Sequence, residues 1–274
     1  MTHRAEFQKD INSKYEQIRQ AYQNRKPKEY FSFEEAQNNK ILLYFENISK
    51  PKFLGEKVLT DYPLSELIPY IDWTFFLITW LFKGKYPYLF KISEKSEEAN
   101  KLLAEAKMML EKIVEEKWFT ANGIFGIYKA NSHDNTISVY DENTNEFGTF
   151  NFLRQQEKQD KPNLCLSDFI ADKSTQITDY LGVFAIATGL GIEEKISEFE
   201  KNNDEYSIIM LKILADRLAE AFAEYLHEKI RKEYWGYAKN ENLTKEELFK
   251  VKHQSIRPAF GYPSMPDHSE KQVL

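Results

Sequence analysis

At 274 residues, with 42% hydrophobic and 15% aromatic content, the chain carries enough apolar surface to fold around a core and is not a disordered polymer. Its formal net charge of −6 does not offer the clustered positive field that nucleic acid binding needs, and no apolar run is long enough to cross a bilayer. The opening Met1-Thr2-His3-Arg4-Ala5-Glu6 is polar at once, and the single cysteine, Cys165, excludes an internal disulfide and a CxxC metal site, so a cytoplasmic protein is expected.

Taken in chain order, residues 3–24 read as an amphipathic helix with Phe7, Ile11, Tyr15, Ile18 and Tyr22 on one stripe. The run Arg25-Lys26-Pro27-Lys28 reads as a solvated helix end. Ser32 and Glu35 have capping-box spacing, as do Thr244 and Glu247, and each predicts a short helix. The apolar stretch from Trp73 to Phe82 reads as a buried element. Residues 95–117 predict a helix whose Leu102, Leu103, Ala106, Leu110, Ile113 and Val114 oppose a Glu/Lys face.

From Trp118 to Phe152 the rhythm changes. Phe125 and Ile127, then Ile137 and Val139, alternate at period two between turn residues and predict a hairpin or meander. Val183 to Thr188, closed by Gly189 and Gly191, reads as a short buried strand or a helix start. Residues 205–235 predict a long helix with Leu211, Leu214, Ala215, Leu218, Phe222 and Tyr225 as core stripe and Gly236 as stop. Together these elements give an α+β fold: a central antiparallel sheet with several helices, in one domain spanning 1–274.

The segment Arg257-Pro258-Ala259-Phe260-Gly261-Tyr262-Pro263-Ser264-Met265-Pro266-Asp267-His268-Ser269-Glu270-Lys271 stands apart. Three prolines restrict its path, Gly261 permits close approach or positive φ, and Arg257 offers a planar fork suited to a carboxylate. On residue types alone a proline-rich surface turn is the favoured reading.

The segment resembles the signature of the activation domain of cobalamin-dependent methionine synthase, which binds S-adenosylmethionine. Tyr70-Ile71-Asp72-Trp73-Thr74-Phe75-Phe76 with Thr79-Trp80 and Gly84-Lys85-Tyr86-Pro87 is similar to another run of that family. So are Ala121-Asn122-Gly123, Ala130-Asn131-Ser132, Leu153-Arg154-Gln155-Gln156, Leu166-Ser167-Asp168-Phe169 and Asp179-Tyr180-Leu181-Gly182. Ala215-Asp216-Arg217-Leu218-Ala219-Glu220-Ala221-Phe222-Ala223-Glu224 matches the family pattern as it stands.

The resemblance implies that Arg257 grips the carboxylate of S-adenosylmethionine, that Asp72 and Glu220 take its ammonium, and that Ala259, Gly261 and Tyr262 line the ligand. The residues themselves leave simpler alternatives open. Asp72 has the position of a helix cap, Glu220 that of an i,i+3 partner for Arg217, and Tyr262 that of a core aromatic. His268 has no second His or Cys at ligand spacing, so no metal is expected.

The implied function is a module of 5-methyltetrahydrofolate–homocysteine methyltransferase, inactive alone, that supplies the methyl group for reductive methylation of cobalamin. The cobalamin itself is expected on a partner module, and the electron from a flavodoxin-like donor. Phe75, Lys129, Asp172 and Phe260 stand where the family has proline, and Met265 where it has cysteine. The flexible Phe260 is expected to weaken the pre-organisation of the clamp. The family continues past the last residue here, so a domain truncated at its C-terminus is expected. A non-catalytic ligand-binding or docking protein that retains the fold is the alternative.

Overall fold

The computed structural model describes residues 2–24, 27–88 and 96–273. Arg25 and Lys26 of the basic run lie outside the described residues. At the centre is a five-stranded antiparallel sheet built from β1 (Gly55–Leu59), β2 (Thr120–His133), β3 (Thr136–Tyr140), β4 (Glu146–Asn151) and β5 (Asp179–Leu190). β2 organises the sheet. One of its edges pairs with β5 from Thr120 to Ala130; the other pairs first with β1 and then with β3, which hairpins on to β4. The meander expected from Phe125, Ile127, Ile137 and Val139 is there, and β5 joins it as a strand.

Because strand side chains alternate between faces, one long strand can serve two cores. Ala121, Phe125 and Ile127 of β2 face the larger core with the helices. Ala130 lies on the opposite face and, with Ile137, Val139, Phe150, Phe152, Cys165 and Met265, forms a second core. β5 is longer than the expected run and is mostly half-exposed, because only part of it lies under helices.

The helical layer comprises α1 (Thr2–Gln23), α2 (Phe33–Asn38), α3 (Leu64–Leu67), α4 (Trp73–Thr79), α5 (Ser96–Glu116), α6 (Ile192–Lys201), α7 (Glu205–Lys229) and α8 (Lys245–Phe249). α7 is the pillar of the fold. Asp204 caps it by accepting from Ser207 N, and the whole expected stripe from Leu211 to Tyr225 is buried. Burying such side chains stabilises by about 1.5–3 kcal/mol each, several times any difference in helix propensity. α7 runs on through a π-helical turn, Ile230–Tyr234, and stops at Gly236 with φ +89°.

Gly123 explains how closely α7 approaches the sheet: a Cβ there would lie 3.1 Å from the Phe222 ring and 3.2 Å from Ile186. Both expected capping boxes form, at Ser32 and at Thr244, and α5 buries its expected stripe, with Val114 packed against that core. Val183–Thr188 is not the buried strand expected, and two other apolar stretches are less covered than their pattern suggests. The helix α1 forms, but Phe7 is 68% and Tyr22 74% exposed, so its apolar stripe faces away from the core. α4 buries Phe76 and Leu77 while Phe75, Ile78 and the following Leu81 stay exposed, because only one side of so short a helix meets α7.

Candidate functional site

Arg257 follows α8 and turns onto the flank of α7, where its Nη2 donates to Glu224 Oε2 at 3.1 Å. The pair is only partly covered, with the arginine side chain 28% exposed. One prong of the guanidinium is therefore engaged. The Nη1 atom and the second carboxylate oxygen, Glu224 Oε1, are buried with no hydrogen-bond partner.

Beyond Arg257 the chain closes a tight turn. Gly261 N donates to Met265 O and Met265 N donates to Tyr262 O, both at 2.9 Å. Gly261 has φ +95°, and the His268 ring lies over it so closely that a Cβ would come within 2.5 Å of Nε2. Glycine is needed there for its positive φ, as anticipated, and for close approach, here of the His268 ring. The turn is pinned from below by Met265 and Phe260, which pack into the second core, with the Phe260 ring 6.3 Å from Phe150. Where the family pattern has a proline ring in the backbone, this chain thus holds the segment by side-chain packing. Ala259, Gly261 and Tyr262 remain at the surface, Tyr262 at 65% exposure, so the core-aromatic alternative for that residue does not apply.

Asp72 is the N-cap of α4, its Oδ1 accepting from Thr74 N at 2.9 Å, as the local alternative anticipated. Glu220 is exposed on α7. Its expected local partner, Arg217, pairs instead with the adjacent Asp216 and sets its guanidinium 5.8 Å from the Phe75 ring of α4. Arg217, Glu220 and Glu224 follow one another at i, i+3 and i+7, so they fall on one stripe of the helix. The helix carrying Asp72 packs at one end of this stripe and Arg257 at the other, with Glu220 between them. Two open concavities, about 770 and 400 Å³, lie elsewhere, along α1 and between α5 and Tyr206, and neither is lined by Asp72, Glu220 or Arg257.

With this geometry in place, the comparisons with known proteins are specific. The family model described as "Vitamin B12 dependent methionine synthase, activation domain" matches residues 63–274. The chain belongs to that family. It is also similar to a crystal structure described as the MetH reactivation domain bound to AdoHcy, with 41% identity, a TM-score of 0.84, and coverage of 89% of this chain and 76% of that chain.

Within this activation domain the family motifs divide by what they touch. Arg154 and Asp168 form a two-pronged buried pair at 2.6 and 2.8 Å. Asn131 donates to the carbonyls of Ala171 and Ile177, Ser132 to that of Ile170, and buried Asp179 accepts from Ala171 N and Tyr180 N. Those motifs fasten the 163–179 loop to the sheet. Asp172, one of the four lost prolines, caps a 3₁₀ turn, and Lys129 donates to Glu142 O.

Sequence reasoning missed a polar corner beside Arg257. Tyr70 donates to Glu228 Oε2 at 2.7 Å under the ammonium of Lys245, 3.0 Å from its ring centroid. Burial first, then that carboxylate, push the phenol pKa up and keep it neutral. His227 is buried on α7, with His253 ring-to-ring at 4.9 Å, and buried Arg231 is gripped by Glu241 at 3.1 and 2.7 Å. Glu224 and His227 sit three apart, on one side of a helix, which was the available signal. His253 comes from the loop after α8, and no spacing could have added it. Among the described residues no helix is long and apolar enough to cross a membrane.

Proposed function

We propose that this chain is the S-adenosylmethionine-binding reactivation module of cobalamin-dependent methionine synthase. Arg257 grips the ligand carboxylate, Asp72 and Glu220 receive the ammonium, and Ala259, Gly261 and Tyr262 line the site. The observations that support this reading are the family match over residues 63–274 and the 41% identity to a reactivation domain bound to AdoHcy; Arg257, held to α7 by one contact from Nη2 to Glu224, leads into the exposed, pinned turn. An arginine held by one prong is pre-organised to donate to an incoming carboxylate.

The sulfonium supplies an already activated methyl group, and its acceptor is cobalamin held by a partner module. The chain's own residues then need no acid or base. They bind and orient the ligand so that the methyl meets its acceptor in line, where a misplacement near 1 Å can cost about a hundredfold in rate. The module has no homocysteine activity alone, works with the cobalamin module and a flavodoxin-like donor in the cytoplasm, and folds as one domain. The strand β2, shared by both hydrophobic cores, supports that last point.

Calorimetric titration with S-adenosylmethionine tests the reading. Arg257→Ala is expected to lose about 2–3 kcal/mol, roughly 30- to 150-fold in Kd, the scale of a charge-assisted pair. A wild-type chain that gives no heat and no thermal shift with excess ligand overturns it and favours a docking protein that keeps the fold.

A further inference from the structure

Seven buried side-chain polar atoms lack a hydrogen-bond partner among the described residues, and five of them come from one corner: Glu224 Oε1, His227 Nδ1, His253 Nδ1, Arg231 Nη1 and Arg257 Nη1. Buried polar atoms left unpaired are costly and rare, so such a concentration calls for an occupant. Three of the five residues, Glu224, His227 and His253, offer metal-ligating atoms that all lie within 4.8 Å of one another. We propose that Glu224, His227 and His253 form a binding site for a divalent ion of the zinc class, with an anionic fourth ligand such as hydroxide.

The surroundings are those of a metal site. Glu224 Oε2 is held by Arg257, and His227 Nε2 meets Ser255 Oγ at 3.1 Å. Outer partners of this kind fix the orientation of metal ligands. Ser255 also hydrogen-bonds the Tyr237 phenol. With its proton directed there, the serine oxygen accepts Nε2–H from His227, which leaves the lone pair on Nδ1, the atom that faces no protein donor.

The two guanidinium groups argue against a bare dication, and they specify the rest of the site. Arg231 is neutralised by Glu241 and Arg257 by Glu224, so the corner is neutral before the ion enters. An anionic fourth ligand offsets one of the two added charges and gives Arg231 Nη1 an acceptor. Buried water would satisfy the same atoms without any metal, and the experiment separates the two. The sequence spacing around His268 predicted no metal; these ligands are assembled only when the loop after α8 folds back on α7.

The test is titration of the chelator-treated full chain with Zn²⁺ by calorimetry and with Co²⁺ by visible absorption. One equivalent is expected to bind, with the intense visible bands of a four-coordinate cobalt. His253→Ala, a half-exposed position that leaves the core intact, is expected to weaken binding by more than about tenfold, and Ser255→Ala by about tenfold through the lost outer contact. Thermal melts of both variants check that they fold. A wild type that binds no ion, or a folded His253→Ala variant that binds it equally well, overturns the proposal and leaves water as the occupant. The site shares Glu224 and Arg257 with the ligand reading, and S-adenosylmethionine titrated in the presence of chelator reports on that reading separately.

Discussion

The Arg154 corner and the Arg257 corner both set an arginine against a carboxylate, but only one of them is closed. Arg154 and Asp168 have side chains 1% and 3% exposed. Every prong of Arg154 is used: two on Asp168, one shared with Asn163 O, and Nε on Asn135 Oδ1. Arg257 makes one contact to Glu224 and leaves Nη1 unpaired, beside two histidines and a second arginine that also keep unpaired atoms. A satisfied polar network rigidifies and specifies a fold, whereas an unsatisfied one keeps binding capacity in reserve at a cost in stability. Both arginines lie in motifs that resemble the same family pattern, so motif membership alone does not tell scaffold from site; the fraction of donors already spent does.

The sharpest way to break this comparison is to delete each arginine and measure urea unfolding. Arg154→Ala strands the buried Asp168 and is expected to cost about 3–5 kcal/mol. Arg257→Ala removes a partly exposed pair and is expected to cost no more than about 1 kcal/mol in stability, while losing the ligand affinity given above. Equal destabilisation by the two variants would erase the distinction between scaffold and site.

The second measurement follows stability with pH in the metal-free protein. His227 stays neutral in the folded state down to about pH 3, because burial and the cations Arg231 and Arg257 oppose its protonation. The unfolded chain takes up that proton near pH 6.5. Below that point the unfolded state binds more protons, so stability is full above pH 6.5 and falls as the pH drops toward 3. One such group contributes about 1.4 kcal/mol per pH unit, or roughly 2 kcal/mol between pH 6.5 and 5. His253, also pushed down by burial first, adds to the same slope, with Glu224 opposing it. His227→Gln should flatten the pH dependence in this window. Parallel stability curves for wild type and variant would mean that the corner is already hydrated enough to accept the charge.

Asp72 supplies the smallest and most discriminating test, because its capping and ligand roles can be separated. Asp72→Ala should cost about 1 kcal/mol of stability by uncapping α4, whereas Asp72→Asn keeps a good cap and should be close to neutral. Both should weaken S-adenosylmethionine binding if the charge receives the ammonium. An Asn variant with unchanged affinity would leave Asp72 as a cap only.

What the sequence determined by itself was whatever depends on neighbours in the chain. The Ser32 and Thr244 capping boxes, the buried stripe of α7, its stop at Gly236 and the alternation of β2 and β3 were legible because capping, helical period and strand period are set within a few residues. Motif order was legible too, and it led to the family. Tertiary structure alone decided which apolar faces find a partner, since amphipathicity states a preference and not an address: α1 has its stripe and leaves it exposed. It decided that β2 feeds two cores on opposite faces, that Phe260 anchors the clamp by packing, and that Glu224 on α7 meets Arg257 and His253 from the loops beyond α8. Those contacts join residues 29 or more positions apart, and their existence depends on how a rigid helix, a sheet and a closed turn fill the same space rather than on any spacing along the chain.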